Sequence, residues 1–153
     1  LEGAWLKLQD KDPFDYAKVE RKIPASKELK VSFDLLAEQN DKGRLQIDFL
    51  DGNSIACSRL EFTPDGIFRM KGGSRFANMM NYEAGKTYHV EAVLSTADRN
   101  IQVYVDGKRV GLRMFYAPVA TIERIAFRTG EMRTFPTVDT PADQTYDLPD
   151  AGG

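Results

Sequence analysis

Residues Tyr82 to Val110 read YEAGKTYHVEAVLSTADRNIQVYVDGKRV. Within this stretch Tyr88, Val90, Ala92 and Leu94 share one parity, and after an interruption so do Ile101, Val103 and Val105. Apolar residues at every second position mark a strand with one face buried and the other in water, because successive side chains leave a pleated strand on opposite sides. His89 and Glu91, and then Gln102 and Tyr104, should therefore line the outward faces. Ala97 to Asn100 parts the two runs, and Asp106-Gly107 closes the second. An Asp-Gly pair suits a tight hairpin, since glycine adopts positive φ without steric cost.

The same grammar extends in both directions. Val31, Phe33 and Leu35 alternate with Ser32 and Asp34, and Leu45, Ile47 and Phe49 alternate with Gln46 and Asp48. Further strands are expected near Trp5–Leu8, Tyr16–Ile23, Ile55–Phe62, Ile67–Lys71, Arg75–Met80, Val110–Phe115 and Ile122–Arg128. Turn signals fall at Asn40–Gly43, Asp51–Asn53, Pro64–Gly66, Gly72-Gly73 and Ala84–Lys86. Breaks spaced by about ten residues leave little room for helices and point to an antiparallel sandwich or barrel. About ten strands are too many for one open sheet and fit two sheets packed roughly 10 Å apart. The fold class is thus all-β, a two-sheet antiparallel sandwich over residues 1–134. From Phe135 to Gly153 the chain is rich in Pro, Asp and Thr and poor in apolar residues, and reads as a loop or linker tail.

Composition narrows the function. The 153 residues are 42% hydrophobic and 29% charged, enough for one domain with its own core. With one cysteine, Cys57, and one histidine, His89, there is no intramolecular disulfide and no four-ligand zinc site. A net charge of −2 without a basic stripe argues against a nucleic-acid partner. No run approaches the ~18 apolar residues of a membrane span, so no membrane partner is expected. The start, Leu-Glu-Gly-Ala-Trp, lacks the basic residues and apolar run of a signal peptide and begins without methionine, as a mature or excised piece of a longer chain would. Acidic loops at Asp10 and Asp12 and at Asp139 and Asp143 offer oxygens for calcium, but in no pattern of defined spacing, so neither metal nor cofactor is expected.

The Tyr82–Val110 stretch resembles the central hairpin of concanavalin A-like, laminin-G-like jelly rolls. Tyr88, Val90, Ala92 and Leu94 match its first strand, and Tyr104-Val105-Asp106-Gly107-Lys108 match its second. Ile122 to Phe127, IERIAF, resembles the strand that follows. The resemblance implies a jelly-roll β-sandwich and a glycan-linked role, for the family includes lectins, carbohydrate-binding modules, glycan hydrolases and lyases, and protein-binding modules. With Arg124, Phe127, Arg128, Thr129 and Gly130, the pattern is similar to modules appended to bacterial polysaccharide-degrading enzymes. By implication the place of work is extracytoplasmic, and the partners are a glycan and other domains of a parent chain.

Catalytic groups are harder to find. Glycan hydrolysis needs paired carboxylates, about 5–5.5 Å apart for retention, and the Glu-x-Asp-x-x-Glu run of jelly-roll hydrolases is missing. Asp34, Asp48 and Glu91 have the parity to share a face if their strands are neighbours, but a solvated sheet face is the preferred reading, since outward polar residues are what alternation predicts. The run Arg128-Thr129-Gly130-Glu131-Met132-Arg133 resembles the Arg-Thr-Glu-x-Arg run of alginate lyases, with Gly130 interrupting it and Asp48 where those enzymes carry histidine. His89 has no evident acid or substrate partner, and Cys57 reads as a small buried hydrophobe. No catalytic residue is assigned. Sugar binding asks for less: an aromatic face with amides, carboxylates and guanidinium groups beside it. Gln46, Asp48, His89, Glu91, Gln102, Tyr104 and Arg128 are the candidates, provided their strands form one concave sheet. Trp5, Phe76, Tyr82, Tyr116 and Phe135 are further aromatics near strand ends or loops that could stack on sugar, but are read first as closing the core edge or packing on a neighbouring domain, and Met79 and Met80 suit a contact surface or core filling. The leading reading is a non-catalytic carbohydrate-binding or architectural module of a larger glycan-degrading protein. The alternatives are a jelly-roll hydrolase or uronate lyase, and a purely structural domain packed on a catalytic partner.

Overall fold

The computed structural model describes residues 7–9, 18–41 and 43–129. These residues form ten strands: β1 (Lys18–Ser26), β2 (Glu28–Leu36), β3 (Leu45–Leu50), β4 (Ala56–Phe62), β5 (Ile67–Gly72), β6 (Arg75–Asn81), β7 (Thr87–Ser95), β8 (Asn100–Val105), β9 (Lys108–Met114) and β10 (Ile122–Thr129). They build a six-stranded sheet in the order β1-β10-β3-β4-β5-β6 and a four-stranded sheet in the order β2-β7-β8-β9, with every pairing antiparallel. The two-sheet sandwich expected from alternation is what the chain adopts.

Two expectations near the start need correction. Residues 7–9 are not in a strand, and the first strand runs three residues further than Ile23, to Ser26. Pro24 lies inside it, and the pairing with β10 slips between Lys22 and Ser26. Proline lacks the N–H that a central ladder needs, so it is tolerated here because β1 is an edge strand with an irregular stretch. The tail from Phe135 onward lies outside the described residues.

The core lies between the sheets. Ile47, Phe49, Leu60, Phe62, Phe68 and Met70 enter it from the six-stranded sheet, while Tyr88, Val90, Ala92, Leu94, Ile101, Val103 and Val105 enter from the other. Fully burying each large apolar side chain stabilises by roughly 1.5–3 kcal/mol. Phe62 stacks on Phe68 at 4.0 Å, and Phe33 of β2 meets Phe127 of β10 edge-to-face at 5.4 Å, joining the sheets. The turn after β8 has positive φ at both Asp106 (51°) and Gly107 (83°). Two left-handed residues give the hairpin the same twist as its strands, which is why Asp-Gly sits there.

Candidate functional site

Each sheet has an outer face, and the predicted residues divide between them. On the four-stranded sheet, Asp34 of β2 stands opposite His89 of β7, and the next row runs Ser32, Glu91, Tyr104, Arg109 across β2, β7, β8 and β9. Beside it lie Lys30, Val93, Gln102 and Leu112. His89 Nδ1 is 2.7 Å from Asp34 Oδ1, and both side chains are about half exposed. The Tyr104 hydroxyl donates to Gln102 Oε1 at 3.1 Å, and Lys30 Nζ lies 3.2 Å from Glu91. The backbone N–H of His89 donates to Asp106 Oδ1 at 3.0 Å, which ties the β8–β9 turn to β7. His89, Glu91, Gln102 and Tyr104 are therefore brought together, as expected, on an accessible face.

Gln46, Asp48 and Arg128 are elsewhere. They project from the outer face of the six-stranded sheet, where Lys18, Arg128, Gln46, Glu61, Arg69 and Asn78 form one cross-strand row. The expectation of a single concave surface holding all seven candidates is thus corrected: the core separates Gln46, Asp48 and Arg128 from the other four. The proposed carboxylate cluster also dissolves, because Asp48 belongs to one sheet and Asp34 and Glu91 to the other. Parity alone does not say which sheet a strand joins.

The second face differs in kind from the first. Gln46, Asp48, Arg59, Glu61 and Arg128 are all buried, with Asp48 and Glu61 at 0% exposure. Arg59 Nε donates to Asp48 Oδ1 at 2.6 Å. Glu61 accepts from Gln46 Nε2 and from Arg69 Nε, each at 2.8 Å, and Arg44 Nε lies 3.7 Å away. Carboxylates this deep persist because cations and amides surround them. Nearer the edge, Arg124 joins Glu20 at 2.9 Å. Sequence reading missed Arg59, Glu61 and Arg69. A signal existed in ACSRLEF, where Arg59 and Glu61 alternate with Leu60 and Phe62.

The remaining candidates settle into packing roles. Tyr82 is buried in the core with its hydroxyl donating to the Thr63 carbonyl, and burial together with the Asp65 carboxylate pushes its ionisation up. Phe76 lies under the Arg69 guanidinium at 4.2 Å. Tyr116 packs on Leu50, Ala56 and Ala126, with Lys71 Nζ at 4.4 Å from its ring. Met79 and Met80 pack against the core, and Met79 approaches the backbone of Gly111. Burial, helped by the carboxylates of Asp51 and Asp48, pushes the Cys57 thiol up from 9.0 to about 12, so it stays a protonated apolar filler. Among the described residues no three His, Cys, Asp or Glu side chains gather to hold a metal ion. Trp5, Asp10, Asp12, Gly130 to Arg133, Phe135, Asp139 and Asp143 lie outside the described residues.

A protein-family profile, that of the sialidase-like carbohydrate-binding-module (CBM) domain, matches residues 1–144. The chain belongs to this sialidase-like CBM family. It is also similar to a solved chain titled sialidase, at 95% identity over 100% of its own length and a TM-score of 0.86, while spanning only 14% of that chain. This CBM is thus an appended, non-catalytic β-sandwich rather than a whole enzyme. Sheep galectin-11 resembles it with a TM-score of 0.57 at 17% identity, over 72% of this chain and 89% of the galectin. A toad ovary galectin, solved in complex with thio-digalactose, gives 0.54 at 12% identity over 72% and 90%. Identities this low show a shared galectin-like jelly roll and nothing more. No curated protein matches the sequence.

Proposed function

We propose that this module holds a sialidase-type parent enzyme on its glycan, outside the cytoplasm, through the outer face of the four-stranded sheet. One observation carries the reading. Tyr104 sits in mid-sheet with its hydroxyl fixed by Gln102, between Glu91 and Arg109 in register, on a face that water reaches. An aromatic ring flanked by an amide, a carboxylate and a guanidinium is suited to a sugar, whose C–H face stacks while its hydroxyls accept and donate. The Asp34–His89 pair adds a polar end to the same surface. On the other sheet the comparable groups are spent on one another and are out of water.

The test is retention on a panel of sialylated and desialylated glycans. The chain should bind at least one member and release no sugar. Tyr104→Ala should weaken that retention about tenfold or more, the loss expected for truncating one central aromatic contact, with unchanged thermal unfolding. Full retention by Tyr104→Ala, or loss of retention in Arg69→Ala instead, would move the site off this face.

A further inference from the structure

At one end of the sandwich three exposed arginines come from three different places in the chain. Arg75 begins β6, Arg99 closes the turn between β7 and β8, and Arg113 stands one residue before the end of β9. The Phe115 N–H donates to the Arg99 carbonyl at 2.7 Å, which holds that turn beside the end of β9. Arg113 reaches from the four-stranded sheet to the six-stranded one: its Cδ, Cγ and Cβ lie 3.0, 3.4 and 3.6 Å from where a Cβ on Gly72 would stand. Gly72 is in turn the register partner of Arg75. Phe76, the next residue, faces outward beneath Arg69, so Arg75 leaves β6 on the inner side, the side from which Arg113 arrives.

Gly72 makes this approach possible. Its φ is not left-handed, so no turn requires glycine there; the missing side chain is what admits the Arg113 stem. At Gly73, which does turn with a φ of 63°, a Cβ would meet nothing within 4 Å, so the hairpin tip opens on free space. The charge here is unbalanced. Arg59, Arg69 and Arg124 each donate to a carboxylate, at 2.6, 2.8 and 2.9 Å. No described carboxylate lies within 4.0 Å of a nitrogen of Arg75, Arg99 or Arg113, not even Asp98 beside Arg99 in the same turn. Cations brought together without acids repel one another unless an anion lies between them. A charge pointing inward from an edge strand also deters stray pairing. That accounts for one charge on β6 and one on β9, but not for a glycine that lets the second lie against the partner strand of the first.

The geometry points to this end of the sandwich as a binding site for an oxyanion, a sulfate ester or a carboxylate, carried on an acidic polysaccharide. Arg75 and Arg113 offer forked N–H donors to its oxygens, and Arg99 adds a third positive charge at the rim. Membership of a carbohydrate-binding family makes a glycan the carrier, and a net charge of −2 disfavours a nucleic acid. The site is separate from the sugar face proposed above. Tyr104 and Arg109 lie by the Asp106-Gly107 turn, at the opposite end of β8 and β9 from Arg99 and Arg113, so the inference does not rest on that face.

The test is retention of the 153-residue chain at low salt on matrices bearing dextran sulfate, polygalacturonate or uncharged dextran. At least one polyanion should hold the chain and uncharged dextran should not; whichever polyanion acts identifies the oxyanion. Arg75→Gln and Arg113→Gln should each weaken retention about tenfold, the size of one charge-assisted contact. Arg21→Gln, the same change of charge at an exposed position on β1, should weaken it less than about twofold, as a distant charge screened by water does. Gly72→Ala removes no charge and should nevertheless weaken retention as Arg113→Gln does, because its Cβ displaces the arginine stem. Thermal unfolding, followed alongside, should be unchanged by the arginine substitutions. Equal losses in Arg21→Gln would reduce the effect to general charge attraction, and no retention on either polyanion would remove the site; each result overturns the inference. So would Gln variants that self-associate but keep full retention, which would leave the arginines as edge guards. A loss in Tyr104→Ala matching that in Arg113→Gln would place the anion on the sugar face instead and overturn this site without touching that reading.

Discussion

The outer faces of the two sheets carry similar side chains and treat them in opposite ways. Asp34 pairs with His89 in the four-stranded sheet, and Asp48 pairs with Arg59 in the six-stranded one, at 2.7 and 2.6 Å. The first pair is half open to water; the second is sealed from it. An exposed pair is screened and rearranges cheaply, whereas a buried one depends on its partner to offset the loss of hydration. Equal chemistry on two faces therefore divides into a surface available for recognition and a surface committed to stability.

The sharpest way to break this contrast is to remove one carboxylate from the buried face. Glu61→Ala would remove the acceptor shared by Gln46 and Arg69 and the carboxylate 3.7 Å from Arg44, and should cost about 3–5 kcal/mol of unfolding free energy in a denaturant titration. A smaller loss would mean that the face is wetter than it looks. Next comes pH. Cys57, lining the core beneath the six-stranded sheet, holds its proton to about 12 when folded but ionises near 9.0 when unfolded. Its contribution is fully present below pH 9 and declines as pH rises from there toward 12, by about 1.4 kcal/mol per unit relative to a Cys57→Ala chain. Coincident pH profiles for the two chains would show that the thiol is solvated. The tenfold weakening expected from Tyr104→Ala is smaller in free energy and should appear in binding alone. Smallest of all is Asp34→Ala, which should shift stability by no more than about 1 kcal/mol. A large shift there would erase the distinction between the faces.

How much was legible beforehand follows from the same contrast. Alternation alone identifies which side chains leave the core: it turns Val90 and Ile101 inward and His89 and Tyr104 outward, as the structure has them. Alternation is a local property of one strand. It carries no information on whether β3 joins β7 or β10, and so Gln46 and Asp48 were grouped with residues that lie across the core. It is equally silent on whether an outward residue meets water. Arg128, a candidate for sugar binding by its residue type, is buried at 2% exposure beside Gln46. Glu61 drew no attention because a carboxylate one residue from Phe62 looks solvated until neighbouring strands bring Arg44, Gln46 and Arg69 around it. The family resemblance located the hairpin and its Asp106-Gly107 turn well, since these depend on residues close in sequence. The candidate site depends on strand order, which does not.

The pairing of β1 with β10 has a mechanical side. Lys18, where β1 begins, lies opposite Arg128, one residue from where β10 ends, so a backbone entering by one strand and leaving by the other passes a single spot on the surface. Two antiparallel neighbours tugged from such adjoining ends surrender their hydrogen bonds one rung at a time, like a zip, instead of resisting together as they would in shear. A pull applied between the segments that flank these two strands would first peel β1 from the sheet. The strands β2, β7 and β8 that carry Asp34, His89 and Tyr104 would still be intact at that moment.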